Sequence, residues 1–359
     1  MDFKQHMSLM EKAGAGNLVG MASAKLGDVI SSCLKPSGGK LLVITDTGEN
    51  NHLSAGILGA GYYLASKSIG VETLFVSQKP RTSMDKADTE IEKTVEELGE
   101  GDMVILAVSN KLGRMSRATK SFRKFATDLR LKFISATSLG NVNDSDFDTL
   151  LDSISIDYAR LGREQSITKG LLDKAQEIHV KSGNGTDVWI KLKKNSTISN
   201  DGRYAEPGTG GNVPAGEVYL PPAAGKSEGT IVVDGSSRNE FGTWVVKKPF
   251  SMIVENGSVV SIEGSKEAKL LEASLLLAEE RATYPERVRN LAELGIGFNP
   301  RAGIIGSMIV DEKTSGTCHF ALGSNYWFGG DNRTIVHFDQ VVRNPRIEID
   351  EDVMDTGSG

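Results

Sequence analysis

At 359 residues, 39% hydrophobic and 25% charged, the chain has a folded soluble protein's composition and more length than one hydrophobic core usually serves; two domains are expected and wholesale disorder is excluded. A formal net charge of −6, with no basic run carrying interleaved aromatics, argues against a nucleic-acid partner. No stretch of about 18 apolar residues suggests a membrane span, and the start "MDFKQHMSLMEKAGAG" lacks a charged segment leading into an apolar one, so with only Cys33 and Cys318 a reducing cytoplasm is expected.

Along the first half, strand-like and helix-like stretches alternate. "KLLVITD" (40–46) precedes "HLSAGILGAGYYLASKSIG" (52–70), a stretch of helical length with a small-residue face. Strand "VETLFVS", helix "DKADTEIEKTVEELGEGD", strand "MVILAVS", helix "RATKSFRKFATDLR" and strand "LKFISAT" follow. Strands separated by helices of this length usually build a parallel sheet with right-handed crossovers, so residues 1–165 are expected to form an open, mostly parallel α/β domain. The glycines at 56, 59 and 61 do not make a dinucleotide fingerprint directly after a strand, and no Walker motif occurs; they read as close packing of a helix on a sheet.

The character changes after "LLDKAQEIHVKSGNGTDVWIKL" (171–192), where two alternating runs flank "GNGT" as in a β-hairpin. Short β-like runs follow: "GEVYLPP", "GTIVVDGSS", "FSMIVENGSVVSIEG", "GIIGSMIV", "CHFALG" and "TIVHFD". A helix at 265–282 and a shorter one around "PERVRNLAELG" interrupt them, and the acidic tail "EIDEDVMDTGSG" is expected to fray. Residues 166–359 are expected to form an α+β, β-rich metal-binding domain.

Two of the five histidines, His319 and His337, fall in one glycine-, asparagine- and aromatic-rich segment. His337 and Asp339 lie two apart, which on a strand places both side chains on one face. Such a pair can bind a divalent metal or be an ordinary hydrogen-bonded couple. Cys318 should point to the opposite face from His319, into the core. Glu217 follows a glycine at the start of an apolar strand, where glutamate is rarely preferred, and Glu293 is flanked by Leu291, Ala292, Leu294 and Ile296. Together Glu217, Glu293, His319, His337 and Asp339 form a mixed oxygen and nitrogen set suited to Zn²⁺, Mn²⁺, Co²⁺ or Fe²⁺, and a thiolate-type structural zinc site is excluded.

In this order "GEVYLPP", "ELGIGFNP", "HFALGSNY" and "HFD" resemble the motifs of the thermophilic-type metalloaminopeptidases, aminopeptidase T and aminopeptidase S. The motifs cover the C-terminal half; the N-terminal half is similar only as the expected α/β domain. The resemblance implies a cytoplasmic homodimeric hydrolase acting on short peptides. Glu217, Glu293, His319, His337 and Asp339 would hold two divalent metal ions (Zn, Co or Mn) about 3.5–4 Å apart, sharing a water that attacks the scissile carbonyl. Tyr326 would then donate a hydrogen bond to the oxyanion, and Glu217 would carry the proton.

Two departures bear on this. Only 18 residues separate His319 from His337, a shorter spacing than the peptidases imply, and the chain is shorter too. A second group with this fold, the 2,5-dihydroxypyridine dioxygenases, is similarly compact here and is similar in "FNPRAG" and "HFDQVVRNP". That resemblance implies a histidine at the position of Glu293, loss of the acid of "GEVY", and one Fe(II) held by two imidazoles and a carboxylate. Retention of Glu217 and Glu293 weighs toward the dinuclear aminopeptidase. The ring-cleaving Fe(II) dioxygenase and a non-enzymatic α/β binding protein are the alternatives. Arg301 reads either as a steering group for a substrate carboxylate or as a surface ion-pair residue.

Overall fold

Four apolar runs of the first half, Lys40–Asp46, Glu72–Gln78, Met103–Ala107 and Lys132–Ala136, pair in parallel. The computed structural model describes residues 1–48, 52–115, 122–264, 266–350 and 352–354. The start of the helix expected at 117–130, Ser265 and most of the acidic tail therefore lie outside the described residues, as does part of the loop after the first strand. The sheet order is 72–78, 40–46, 103–107, 132–136, with Gly210–Asn212 added in parallel at the edge. Met103–Ala107 is buried at every position, as a strand covered on both faces must be. The glycines of the helix Ser54–Ser68 serve packing: a Cβ on Gly59 would lie 2.4 Å from Thr45, and one on Gly61 2.8 Å from Ala22 of the helix Gly16–Cys33.

The chain forms two compact units, Met1–Ala159 with Gly202–Ala215, and Arg160–Asp201 with Gly216–Gly359. A single cut between residues 165 and 166 misses the return of Gly202–Ala215 to the first unit, where it supplies the last parallel strand. Among the described residues no helix is long and apolar enough to cross a membrane.

The second unit holds two antiparallel sheets of seven strands. One contains the hairpin Glu177–Lys181 and Asp187–Leu192. The other runs 242–245, 236–239, 337–343, 317–323, 291–297, 217–220, 198–200. Both sheets send alternate residues into one apolar core: Ile178, Val180 and Ile231 from the first, Leu294, Ile296, Cys318, Phe320 and Val342 from the second. Cys318 is a core residue, as its place beside His319 required.

Two element assignments need correction. "PERVRNLAELG" is no helix; a 3-10 turn at Pro285–Arg287 leads into the strand Leu291–Gly297. That strand is paired on both sides, and Gly295 and Gly297 would weaken a helix while fitting between close neighbours. "GIIGSMIV" is no strand either. It forms a loop and the short helix Met308–Asp311, fixed by the Asp311 carboxylate, which accepts hydrogen bonds from the amides of Ile305 and Gly306.

Candidate metal centre

Strand register brings the expected residues together on the face opposite the core. Asp339 pairs with Ala321, and Ala321 with Glu293, so one small residue separates two carboxylates across three strands. Two pairs further along, on the same face, His319 faces Gly295. A Cβ on Gly295 would lie only 2.1 Å from His319 Nε2, so the absence of a side chain there is what lets the imidazole lie across the neighbouring strand. Glu217 pairs with Gly297 at the start of its strand, and His337 pairs with Gly323.

All five candidate ligands converge, in two groups that share Glu293. Glu217, Glu293 and His319 form one, and Glu293, His337 and Asp339 the other; within each, one ligand atom per residue lies within 4.8 Å of the rest. His319 Nε2 is 3.2 Å from Glu293 Oε1 and 3.7 Å from Glu217 Oε2. His337 Nε2 is 3.4 Å from Glu293 Oε2 and 3.1 Å from Asp339 Oδ1. Glu293 thus turns one oxygen to each imidazole.

The electrostatics are those of a cation site. Burial alone would lower the pKa of His319, but the hydrogen bond and charge of Glu293, with Glu217 and Glu312 behind it, hold it at about 9. Burial is likewise outweighed at His337, which Asp339 and Glu293 raise to about 9. Burial would raise Asp339, yet the His337 imidazole keeps it well below the usual carboxylate range. Three carboxylates that draw protons onto two imidazoles would equally attract a divalent ion, and the oxygen-rich donor set fits Fe²⁺, Mn²⁺ or Zn²⁺.

Sequence reasoning missed Lys313. Its side chain is fully buried, and its ammonium pairs with Glu217 Oε1 and with Glu312. Asn200 Nδ2 also donates to Glu217 Oε1, at 3.3 Å. Burial would lower the lysine's pKa, but the two carboxylates raise it above its ordinary value and keep it charged. "DEKTSG" reads as a solvated charge run, and nothing in its spacing signals burial.

The two histidines differ in their second nitrogen. His337 Nδ1 lies 2.8 Å from the Ser324 carbonyl oxygen and donates to it, so Nε2, which faces Glu293 and Asp339, is the nitrogen that would give up its proton to a metal ion. His319 Nδ1 is buried with no partner among the described residues. Access differs as well: the His337 side chain is 21% exposed, whereas the other four candidates are almost closed off. Tyr326 sits outside the cluster on a 3-10 turn, exposed, with the Arg333 guanidinium 5.3 Å from its ring centre. The Arg301 amide donates to Asn299 Oδ1.

Gly295→Ala tests this packing. The new methyl must push aside the His319 imidazole, which holds Glu293 Oε1, and a displacement near 1 Å passed on to Glu293 costs on the order of 100-fold in rate. Turnover of the metal-loaded variant should fall by that order, with a stability loss of about 1–3 kcal/mol from overpacking. An unchanged rate would show that the position of His319 is immaterial.

Comparison with known proteins corrects the functional expectation. Residues 156–358 match the sequence model of the family NicX, 2,5-dihydroxypyridine 5,6-dioxygenase. A curated relative, the 2,5-dihydroxypyridine 5,6-dioxygenase of Pseudomonas putida KT2440, is 27% identical over 192 residues, which is 50% of this chain and 53% of the relative. The sequence match thus spans about half the length of that relative. In fold, the chain is similar to the solved 2,5-dihydroxypyridine dioxygenase of P. putida KT2440, with a TM-score of 0.66, 17% identity and 94% of each chain covered. It is more distantly similar to AmpT of Thermus thermophilus, with a TM-score of 0.58, 15% identity, and 92% and 95% covered.

AmpT shares the fold, but membership of the aminopeptidase T and S family does not follow. The metalloaminopeptidase expectation, with its class of hydrolase and its short-peptide substrates, is overturned by the family match and the curated relative, both described as a dioxygenase. With the matched region covering more than half of its residues, this chain belongs to the NicX family, 2,5-dihydroxypyridine 5,6-dioxygenase.

Proposed function

We propose that the protein is an Fe(II)-dependent dioxygenase that opens the ring of a dihydroxypyridine, with one metal ion held by Glu293, His337 and Asp339. In this reading the unit made of Arg160–Asp201 and Gly216–Gly359 carries the metal. The observation that carries the one-metal choice is the difference between the two groups. Around His337 the ligands are oriented and reachable: its Nδ1 is anchored on Ser324, and its edge is open to solvent. In the other group Glu217 is already neutralised by the buried Lys313 ammonium, and His319 lacks the outer hydrogen bond that ligating histidines ordinarily make.

When bound, the iron supplies redox chemistry and open coordination positions for dioxygen and substrate. The chain's own residues set the conditions. Glu293 holds Oε1 against His319 Nε2 and leaves Oε2 on the His337 side. Asp339, buried and kept ionised by its histidine neighbour, supplies a second anionic oxygen without a proton to lose. The closed walls around Glu217, Glu293 and His319 exclude bulk water, so substrate enters past His337.

Iron-loaded protein in an oxygen electrode tests the reading. Addition of 2,5-dihydroxypyridine should consume about one dioxygen per ring, the stoichiometry of a dioxygenase acting at a non-haem Fe(II) site, and chelation should abolish it. Protein that carries iron yet consumes no oxygen with this substrate would refute the assignment.

A further inference from the structure

The NicX-type reading leaves open how a flat ring is recognised, and one residue at the mouth of the site answers to that need. Trp327 is 62% exposed, although its ring centre is only 4.9 Å from that of His337, at a steep interplanar angle of 66°. Phe328 packs behind it, 5.4 Å from Trp327 and 5.4 Å from Tyr219. Single exposed aromatics are common on surfaces; this one stands beside the sole candidate ligand with appreciable solvent access.

The segment that carries it is held firmly. Asn325 Nδ2 donates to the Ala292 carbonyl, and Asn325 Oδ1 accepts from the Asn332 amide. Asn332 Nδ2 in turn donates to the carbonyls of Arg287 and Gly323. Gly330 is forced to be glycine, since a Cβ there would meet the Asn325 side chain at 2.0 Å. The 3-10 turn Tyr326–Phe328 ends at Gly329, with φ of +94°. With the turn fixed in this way, a ligand that packs on the indole has to order only that side chain.

Resting on the dioxygenase reading, we propose that Trp327 is a substrate-specificity residue: its indole forms an aromatic wall against which the ring of the dihydroxypyridine packs as it enters beside His337. The face of an electron-rich indole and the edge of a polarised heteroaromatic ring attract one another, and such pairs favour offset-stacked or edge-to-face geometries.

The test compares Trp327→Leu with Trp327→Phe in the full-length, metal-loaded protein. Two readouts are needed: the KM and kcat for 2,5-dihydroxypyridine, and calorimetric binding of the same compound to zinc-loaded protein, in which turnover is blocked. Trp327→Leu, which keeps bulk and loses the π face, should weaken binding and raise KM about tenfold, in line with the energy of an aromatic pair, with kcat within about twofold. Trp327→Phe should recover most of the loss. Thermal stability should hardly move, because the side chain is largely exposed. Equal binding by wild type and Trp327→Leu would overturn the proposal, as would a change of oligomeric state with KM unchanged. If wild-type protein fails to bind the compound at all, the dioxygenase reading itself falls and the wall goes with it.

Discussion

Glu293→Gln should leave the protein folded and nearly unable to hold metal. Glu293 is the carboxylate common to both groups, with Oε1 on His319 and Oε2 on His337, and the amide removes the charge while keeping the shape. Substitution of residues that merely orient metal ligands costs 10–100-fold in affinity or activity, so loss of a charged ligand should reach at least about 100-fold. Metal retained after gel filtration, measured by plasma emission, should drop from about one equivalent per chain to a small fraction of that, and turnover should follow. The melting temperature of the metal-free form should change little, because one buried charge is removed from a cluster that contains three carboxylates. Retention of both metal and rate would exclude Glu293 from the site.

Lys313→Met should destabilise the fold more than any other change discussed. Its ammonium is fully buried and pairs with Glu217 and Glu312, both largely buried themselves. Removing one partner of a buried ion pair strands the other, at a cost of about 3–5 kcal/mol. Guanidinium denaturation should register a loss of that size. The double substitution Lys313→Met with Glu217→Gln should recover part of it, since replacing a buried pair on both sides is often close to neutral. If Lys313→Met proves as stable as wild type, the pair does not exist in solution.

The sequence made the frame of the site legible and misread its reaction, for one physical reason. Alternation at period two announced which residues of the strands 291–297, 317–323 and 337–343 share a face, and the five polar residues found on apolar strands do converge. The ordered motifs that prompted the aminopeptidase expectation fall on this same frame. Gly295 opens space for His319, Ala321 separates Glu293 from Asp339, and both belong to the sheet before they belong to a chemistry. The fold is similar both to AmpT and to a dioxygenase, so the frame alone does not name the reaction. What would have tempered the two-metal expectation, the burial of Lys313 against Glu217, depends on a lysine in a loop-like charge run folding inward, and no local pattern encodes it.

The parallel domain was readable because helix and strand periods alternate clearly from residue 40 to residue 136. The second unit was harder. "PERVRNLAELG" combines a helix-compatible start with residues that become a central strand only through partners about 75 positions earlier and about 25 later, at 217–220 and 317–323. "GIIGSMIV" carries the β-branched composition of a strand, yet Asp311 satisfies the amides of Ile305 and Gly306 and turns the segment instead. Non-local pairing decided both cases, as it commonly does for short apolar runs.

The most direct test of the central claim is the fate of isotopically labelled dioxygen. Iron-loaded protein incubated with 2,5-dihydroxypyridine under the labelled gas should yield a ring-opened product that carries both oxygen atoms of one molecule, as judged by mass spectrometry. A product whose added oxygen comes from solvent water, or recovery of the intact ring from protein shown to contain iron, would contradict the account.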